Sequence, residues 1–512
     1  MKKKVLAGLL AAMMLTAGIS GCGAANSDNG TPSTSKTGSE STENGTTEAK
    51  EIEEITYAFA TFTSVPADVQ SVEDALNEIT EDKIGVHVNL LILDPANYSQ
   101  QIALMISSGQ DLDIFHTLGD LNSYVASKQI VALDDLLSEY GSDITTIEPE
   151  FFMEAGKIED ETYGVPFYMG KALAPTVIFR QDILDELGID ASTITSFETL
   201  GDVYEKVHEA HPELKVLSPL NAGDCGMQYL TNQIDYLSEY YNTATGAIIG
   251  SGTEVQNYYE SEEFEEIVNL ARDWYEKGYI SSDAATTTML ASAEMSAGTA
   301  FSTIGGYAGE IPESQFAGPE GGTLGSARLA DPTISTSDVN TLSRVISVNS
   351  KHLEAAMKFL NLCYTDAEIP TLLTMGIKDR DYVMTEDGFM NYPEGQNMFT
   401  VSYNCFLSAA SSNQFIEAPL LVGQSKEDIE LQKEENESAW KSDAFGFTFD
   451  SSSVKTQSST VHNVINQYLP GLVCGTLDPD QELDNFRQAL KSAGIDEIVT
   501  EKQSQLDAWL AK

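Results

Sequence analysis

Apolar residues recur at two different periods along the chain, and the switches between them predict the elements. Residues 52–61 read as a short strand that ends in Thr61-Phe62-Thr63-Ser64-Val65-Pro66. Val69, Val72, Leu76 and Ile79 then fall at helical spacing, and residues 86–93 return to a β-rich run with His87 and Asn89 on alternate positions. Ile102, Met105 and Ile106 mark a second helix that stops at Gly109, and residues 111–115 read as a third strand. Strand, helix, strand, helix, strand is the pattern of a parallel α/β sheet, whose ligands sit at the carboxyl ends of the strands. The loops at those ends are residues 61–64 and 116–120.

Residues 162–180 form a long extended stretch interrupted by Gly164, Pro166, Gly170 and Pro175, followed at once by a helical pattern over residues 182–187 that stops at Gly188. A chain passing from one lobe to another has this character, so the stretch predicts a hinge, with a ligand held beside Tyr168 and Lys171. A second α/β region follows, from Ala174 to about Asp338. It contains a helix marked by Phe264, Ile267, Val268, Ala271 and Trp274, and the Gly-rich turn Thr303-Ile304-Gly305-Gly306-Tyr307. Residues 342–348 read as a returning strand. Asn349-Ser350 is expected to cap a helix carrying Leu353, Ala356, Met357, Leu360 and Cys363. If that helix packs on the first lobe, both lobes are discontinuous in sequence. Two amphipathic helices, over residues 483–490 and 498–510, close the chain, and no solenoid repeat is evident.

A length of 512 residues implies at least two domains. The formal charge of -51 repels polyanions and argues against a nucleic-acid partner, while leaving a neutral small molecule unconstrained. Lys2, Lys3 and Lys4 precede an apolar run over residues 5–19 that is short for a bilayer span, and Ile19-Ser20-Gly21-Cys22 ends it. This resembles a bacterial lipoprotein signal, which would make Cys22 the lipidated mature N-terminus; an ordinary secretory signal is the alternative. Residues 26–50, nearly all Ser, Thr, Gly, Asn, Glu and Pro, read as a flexible tether. Cys225, Cys363, Cys405 and Cys474 are widely spaced, and both disulfides and isolated buried thiols remain open.

Catalytic signatures are weak. His208 and His211 are three apart, not the four of the helical zinc-protease motif, and no G-x-S-x-G or P-loop occurs. With 79 acids, chance carboxylate pairs have no weight as evidence for a glycoside hydrolase, although a surface carbohydrate hydrolase is the rival from another class.

The Asp113-Ile114-Phe115 strand, the Tyr163-Gly164-Val165-Pro166 crossing followed by Phe179-Arg180-Gln181-Asp182, and the helix after Ser350 together resemble an extracellular solute-binding protein of an ABC importer, of the maltose-binding-like group. Asp387-Gly388, Asn391-Tyr392-Pro393, Asn413-Gln414-Phe415, Gly446-Phe447-Thr448-Phe449-Asp450 and Glu501-Lys502-Gln503 through Trp509 are similar to its LipO-like branch. The resemblance implies a two-lobed α/β periplasmic-binding-protein fold (a Venus flytrap) with discontinuous lobes. The expected division is residues 1–21 signal, 22–50 tether, 51–170 with 340–370 first lobe, and 171–339 with 371–512 second lobe. It also implies a lipid-anchored, non-catalytic monomer without a cofactor at the extracellular face of the membrane. Such a receptor delivers a carbohydrate, expected to be an oligosaccharide, to the membrane subunits of an importer; a peptide or other organic solute is the alternative.

The family's cleft loops correspond to Thr61, Phe62 and Thr63, to His116 and Asp120, to Tyr168 and Lys171, to Asn221 and Asp224, and to Tyr307 after its glycines. Gln414 joins them as a polar candidate, and Trp440, outside any apolar stripe, as a stacking candidate. Lys171 is expected to face one of the protein's own acids. Trp274 and Trp509 lie on apolar helix faces and read as core.

Overall fold

The computed structural model describes residues 52–61, 64–119, 121–310, 316, 318–405 and 412–512. Cys22, Phe62, Thr63 and Asp120 therefore lie outside the described residues.

The chain lays down β1 (Glu53–Ala60), α1 (Gln70–Ile84), β2 (Val86–Leu93), α2 (Pro95–Ser108) and β3 (Ile114–His116). The two helices stop at Gly85 and Gly109, whose φ of 70° and 71° only glycine adopts without cost. There follow β4 (Ala174–Arg180), α3 (Gln181–Leu187), α4 (Phe197–Ala210), β5 (Lys215–Leu217), α5 (Glu262–Glu276), β6 (Ala300–Tyr307) and β7 (Leu324–Arg328). The chain returns through β8 (Arg344–Ile346) and α6 (Leu353–Thr365), then α7 (Lys426–Ser438), and ends in α8 (Lys455–Val473), α9 (Pro479–Ala493) and α10 (Ile495–Leu510).

One sheet has the order β8-β3-β1-β2, with β1 parallel to β2 and β3 and with β8 antiparallel to β3. The other has the order β7-β4-β6-β5, with β4 antiparallel to both neighbours and β5 parallel to β6. Each sheet has its own core. Ile55, Tyr57, Phe59, Leu76 and Val88 pack with Leu360, Ile369, Leu373, Tyr403 and Ala439. Val177, Phe179, Phe264 and Trp274 pack with Phe447, Val461, Leu483 and Ile498. Trp274 stacks on Phe197 and meets the edge of Tyr204, with centroids 6.1 and 5.0 Å apart.

These cores revise the expected division. Ile369, Leu373, Tyr403, Cys405 and Ala439 belong to the first core, so the chain re-enters the second only near Ala444. Residues 371 onward were expected with the second lobe; Leu373, Tyr403 and Cys405 stay in the first because α6 runs on into a helix, Glu368–Met375, that presents Ile369 and Leu373 to the same core, while α7 reaches the second lobe through Asp428 and Glu435, which bond Gly309, Glu310 and Arg328. A smaller correction concerns α6, which carries no side-chain cap. Asn349 instead donates its amide to the Ile106 carbonyl at 2.9 Å, satisfying the end of α2.

Three segments join the cores and bond to one another. Leu173 pairs antiparallel with Thr333, and Thr333 pairs parallel with Trp440. The Asn436 side chain pins the first of them. Its Oδ1 accepts from the Lys171 and Ala172 N–H groups at 2.7 and 3.0 Å, and its Nδ2 donates to the Met169 carbonyl at 2.7 Å.

Candidate functional site

β5 and β6 run parallel, so their carboxyl ends lie at one edge of the second sheet. After β5, Asn221 and Asp224 close a tight turn, with the Asp224 N–H donating to the Asn221 carbonyl at 2.9 Å. Asp224 Oδ1 accepts from the Gly226 N–H and from Gln228 Nε2, both at 3.0 Å. That leaves the carboxylate aimed at a group of tyrosines. Burial raises the phenols of Tyr229, Tyr241 and Tyr307, and the nearby Asp224 charge raises them further. The Tyr307 hydroxyl is buried and has no hydrogen-bond partner among the described residues.

Tyr240, next to Tyr241, lies on a loop that begins with two left-handed residues, Leu237 and Ser238, at φ of 55° and 69°. Glu239 holds that loop to α10 through Lys502, whose ammonium lies 2.8 Å away and is fully buried. Tyr240, 41% exposed, then reaches across to the first lobe, where its hydroxyl bonds the Thr341 hydroxyl at 3.0 Å. A Cβ at Gly119, in the loop after β3, would lie 3.1 Å from the same hydroxyl, and the Gly119 φ of 88° demands glycine in any case. Beside this contact the lobes enclose a cavity of about 150 Å³ lined by Gly119, Asn122, Glu239, Asn340 and Phe449, with the Asn122 amide donating to the Phe449 carbonyl at 2.6 Å.

Tyrosine faces with hydroxyl tips, one carboxylate and exposed loop backbone suit a ligand that has apolar C–H faces and many hydroxyls. Among the described residues, no three His, Cys, Asp or Glu side chains are grouped as a metal site requires. No described helix is long and apolar enough to cross a membrane.

Of the residues singled out from sequence, Asn221, Asp224 and Tyr307 come together here, and Thr61 lies at the end of β1 with its side chain fully buried. Others lie away from the cleft. His116 is fully buried, bonds the Tyr57 hydroxyl at 2.8 Å, and is held neutral chiefly by burial and then by the Arg344 charge. Tyr168 is 3% exposed, its ring set edge-on between Phe152 and Phe415, so it offers no face to a ligand. Gln414 is spent on Gln432 at 3.0 Å, and the Trp440 backbone is part of the hinge. Lys171 is buried and makes no ion pair with the described residues; burial lowers its pKa to about 8, and it feels Asp338 and Glu148 at longer range. Sequence reasoning missed Tyr229, Tyr240 and Tyr241, although the density of tyrosine in residues 236–241 was a signal.

Residues 74–376 match the family described as bacterial extracellular solute-binding protein. The chain belongs to that family. Residues 443–511 of this solute-binding protein match a second family, described only as a domain of unknown function. It is 26% identical over 465 residues to a carbohydrate ABC transporter substrate-binding protein of Streptococcus pneumoniae, covering 85% of this chain and 87% of the relative. It shares its fold with the crystal structure of an N-glycan transport solute-binding protein of the same organism. That likeness has a TM-score of 0.76 at 23% identity over 90% of this chain and 99% of the other. The same protein in complex with Man5GlcNAc gives a TM-score of 0.68 at 22% identity over 90% and 99%. The two-lobed solute-binding fold expected from the sequence is therefore the fold of this chain.

Proposed function

We propose that this solute-binding protein is the lipid-anchored, non-catalytic receptor of an ABC importer and that it captures an oligosaccharide between its lobes. The observation that carries this reading is the set of Tyr229, Tyr241 and Tyr307 beside Asp224, with Tyr240, next to Tyr241 in the chain, meeting the loop after β3. Tyrosine rings cover the C–H faces of sugar rings, and a carboxylate accepts from their hydroxyls. The carbohydrate-named relative and the glycan complex of the similar structure support the same substrate class. Closure is a hinge motion, and the ligand favours the closed state by touching both lobes. The tether of residues 26–50 and lipidation at Cys22 keep the receptor at the membrane beside its importer.

A thermal-shift screen of residues 51–512 against oligosaccharides, monosaccharides, amino acids and peptides, followed by calorimetry, tests the reading. A ligand at about a hundred times its Kd stabilises the protein by about 2.7 kcal/mol. A melting shift with intact oligosaccharide is the expected result. A shift with peptides alone overturns the substrate class, and sugar cleaved at catalytic rates overturns the receptor. Release of the chain from membranes by Cys22→Ser tests the anchor.

A further inference from the structure

We propose that Cys225 and Cys474 are joined as a disulfide in the exported protein, fastening the turn that bears Asp224 to the end of α8. The two sulfur atoms lie 2.9 Å apart, from residues 249 positions apart in the chain, and both residues are fully buried. Non-bonded heavy atoms of carbon size rest about 3.5–4.0 Å apart, and sulfur is larger, so two intact thiols are crowded at this distance. The other two cysteines of the described core are engaged elsewhere: Cys363 with Ser412, Cys405 with Tyr403 and Thr61. They provide an internal control.

The surroundings show what the bond would hold. Cys225 directly follows Asp224, and a Cβ at Gly223 would lie 2.7 Å from Pro470 Cβ, so the turn rests on the last turn of α8. Cys474 follows α8 at once, and Gly475, at φ 67°, passes so close to Ala271 that a Cβ would lie 2.2 Å from its carbonyl oxygen. The bond would therefore connect the carboxylate turn of the cleft to the segment of residues 443–511. That segment becomes the anchor of a binding loop.

Chemically, the Cys225 thiolate attacks the disulfide of a thiol–disulfide oxidoreductase to give a mixed disulfide, and the Cys474 thiolate displaces the enzyme's thiol. One S–S bond forms, two electrons leave the pair, and the two protons end on the oxidoreductase as a dithiol. With both residues buried in the folded chain, this exchange takes place as the chain folds after export. The inference rests on the extracellular placement of the family, where disulfides persist.

The test uses the full chain exported by its own host, alkylated in acid, unfolded and digested without reduction. The expected result is one cross-linked peptide containing Cys225 and Cys474, with Cys363 and Cys405 alkylated. Alkylated Cys225 and Cys474 overturn the proposal. As a second measurement, the reduced chain is refolded in a glutathione redox buffer, where the same pair must form; a different pair overturns the geometry. The Cys225→Ala/Cys474→Ala chain should melt several degrees lower and lose sugar affinity several-fold, and an unchanged melting point counts against the bond. The mass reading does not depend on any sugar, so it fails separately from the receptor reading.

Discussion

Leu173 and Thr333 exchange both of their backbone hydrogen bonds, at 2.8 and 3.0 Å. Two of the three passages between lobes are thus one short antiparallel ladder, and the Ile334 N–H extends it to the Trp440 carbonyl at 3.0 Å. Bending at one passage must be shared by all three, so closure of the lobes is expected to follow one axis instead of independent links.

Gly170 lies where this ladder meets α7. A Cβ there would lie 2.4 Å from Gln432 Oε1 and 3.0 Å from Ala308 Cβ. Gly170→Val should destabilise the protein by about 1–3 kcal/mol through overpacking and should weaken closure on ligand. Urea melts and small-angle scattering with and without sugar check both; unchanged scattering and affinity would remove Gly170 from the hinge.

Asn436→Ala withdraws three hydrogen bonds from the Met169–Ala172 backbone and leaves buried groups unpaired. Each orphaned group costs about 1–3 kcal/mol, so a marked loss in chemical denaturation is expected. A loss below 1 kcal/mol would mean that water replaces the amide.

In the cleft, Tyr307→Ala should weaken sugar binding about tenfold or more, the loss of a stacking face together with a hydroxyl. Asp224→Asn keeps the turn but exchanges one acceptor oxygen for a donor, so affinity should fall while the melting point of the free protein holds. Calorimetry and thermal melts on the two variants separate these roles, and full affinity in both would move the site elsewhere.

Two buried groups make stability depend on pH in opposite directions. Burial raises the Glu148 carboxyl from 4.5 to about 8 and lowers the Lys171 ammonium from 10.5 to about 8. Between pH 4.5 and 8 the folded chain keeps a proton on Glu148 that the unfolded chain has released, so stability falls as pH rises. From pH 8 to 10.5 the unfolded chain holds a proton on Lys171 that the folded chain has lost, so this contribution makes stability rise. Urea melts against pH should show the first slope flattened by Glu148→Gln and the second by Lys171→Met.

The first sheet was legible because its signals are local. The periods of α1, β2 and α2 sit between glycines that end the helices, and residues 86–93 coincide with β2. The first crossing was legible from its own Gly and Pro residues. The return near residue 339 was expected from the helix after Ser350, but its pairing with Leu173 and the place of the third crossing at Trp440 depend on partners far away in sequence. Tyr168 looked like a cleft residue until Phe152 and Phe415 enclosed it. Tyr240 escaped notice because the bend that aims it is made by Leu237 and Ser238, with no glycine to announce it. Asn221, Asp224 and Tyr307 were singled out through the family resemblance, whereas the strand-end argument pointed to residues 61–64 and 116–120, of which Thr61 and His116 are fully buried.

The interleaving of the two cores also orders events in time. A chain that crosses a membrane N-terminus first delivers residues 53–172 early, yet their core waits for residues up to Ala439. The second core waits for Leu506. The first lobe therefore completes its core only when most of the second has also emerged, and the second completes last, with α10. A chain cut short before Trp440 would leave two unfinished halves instead of one working lobe.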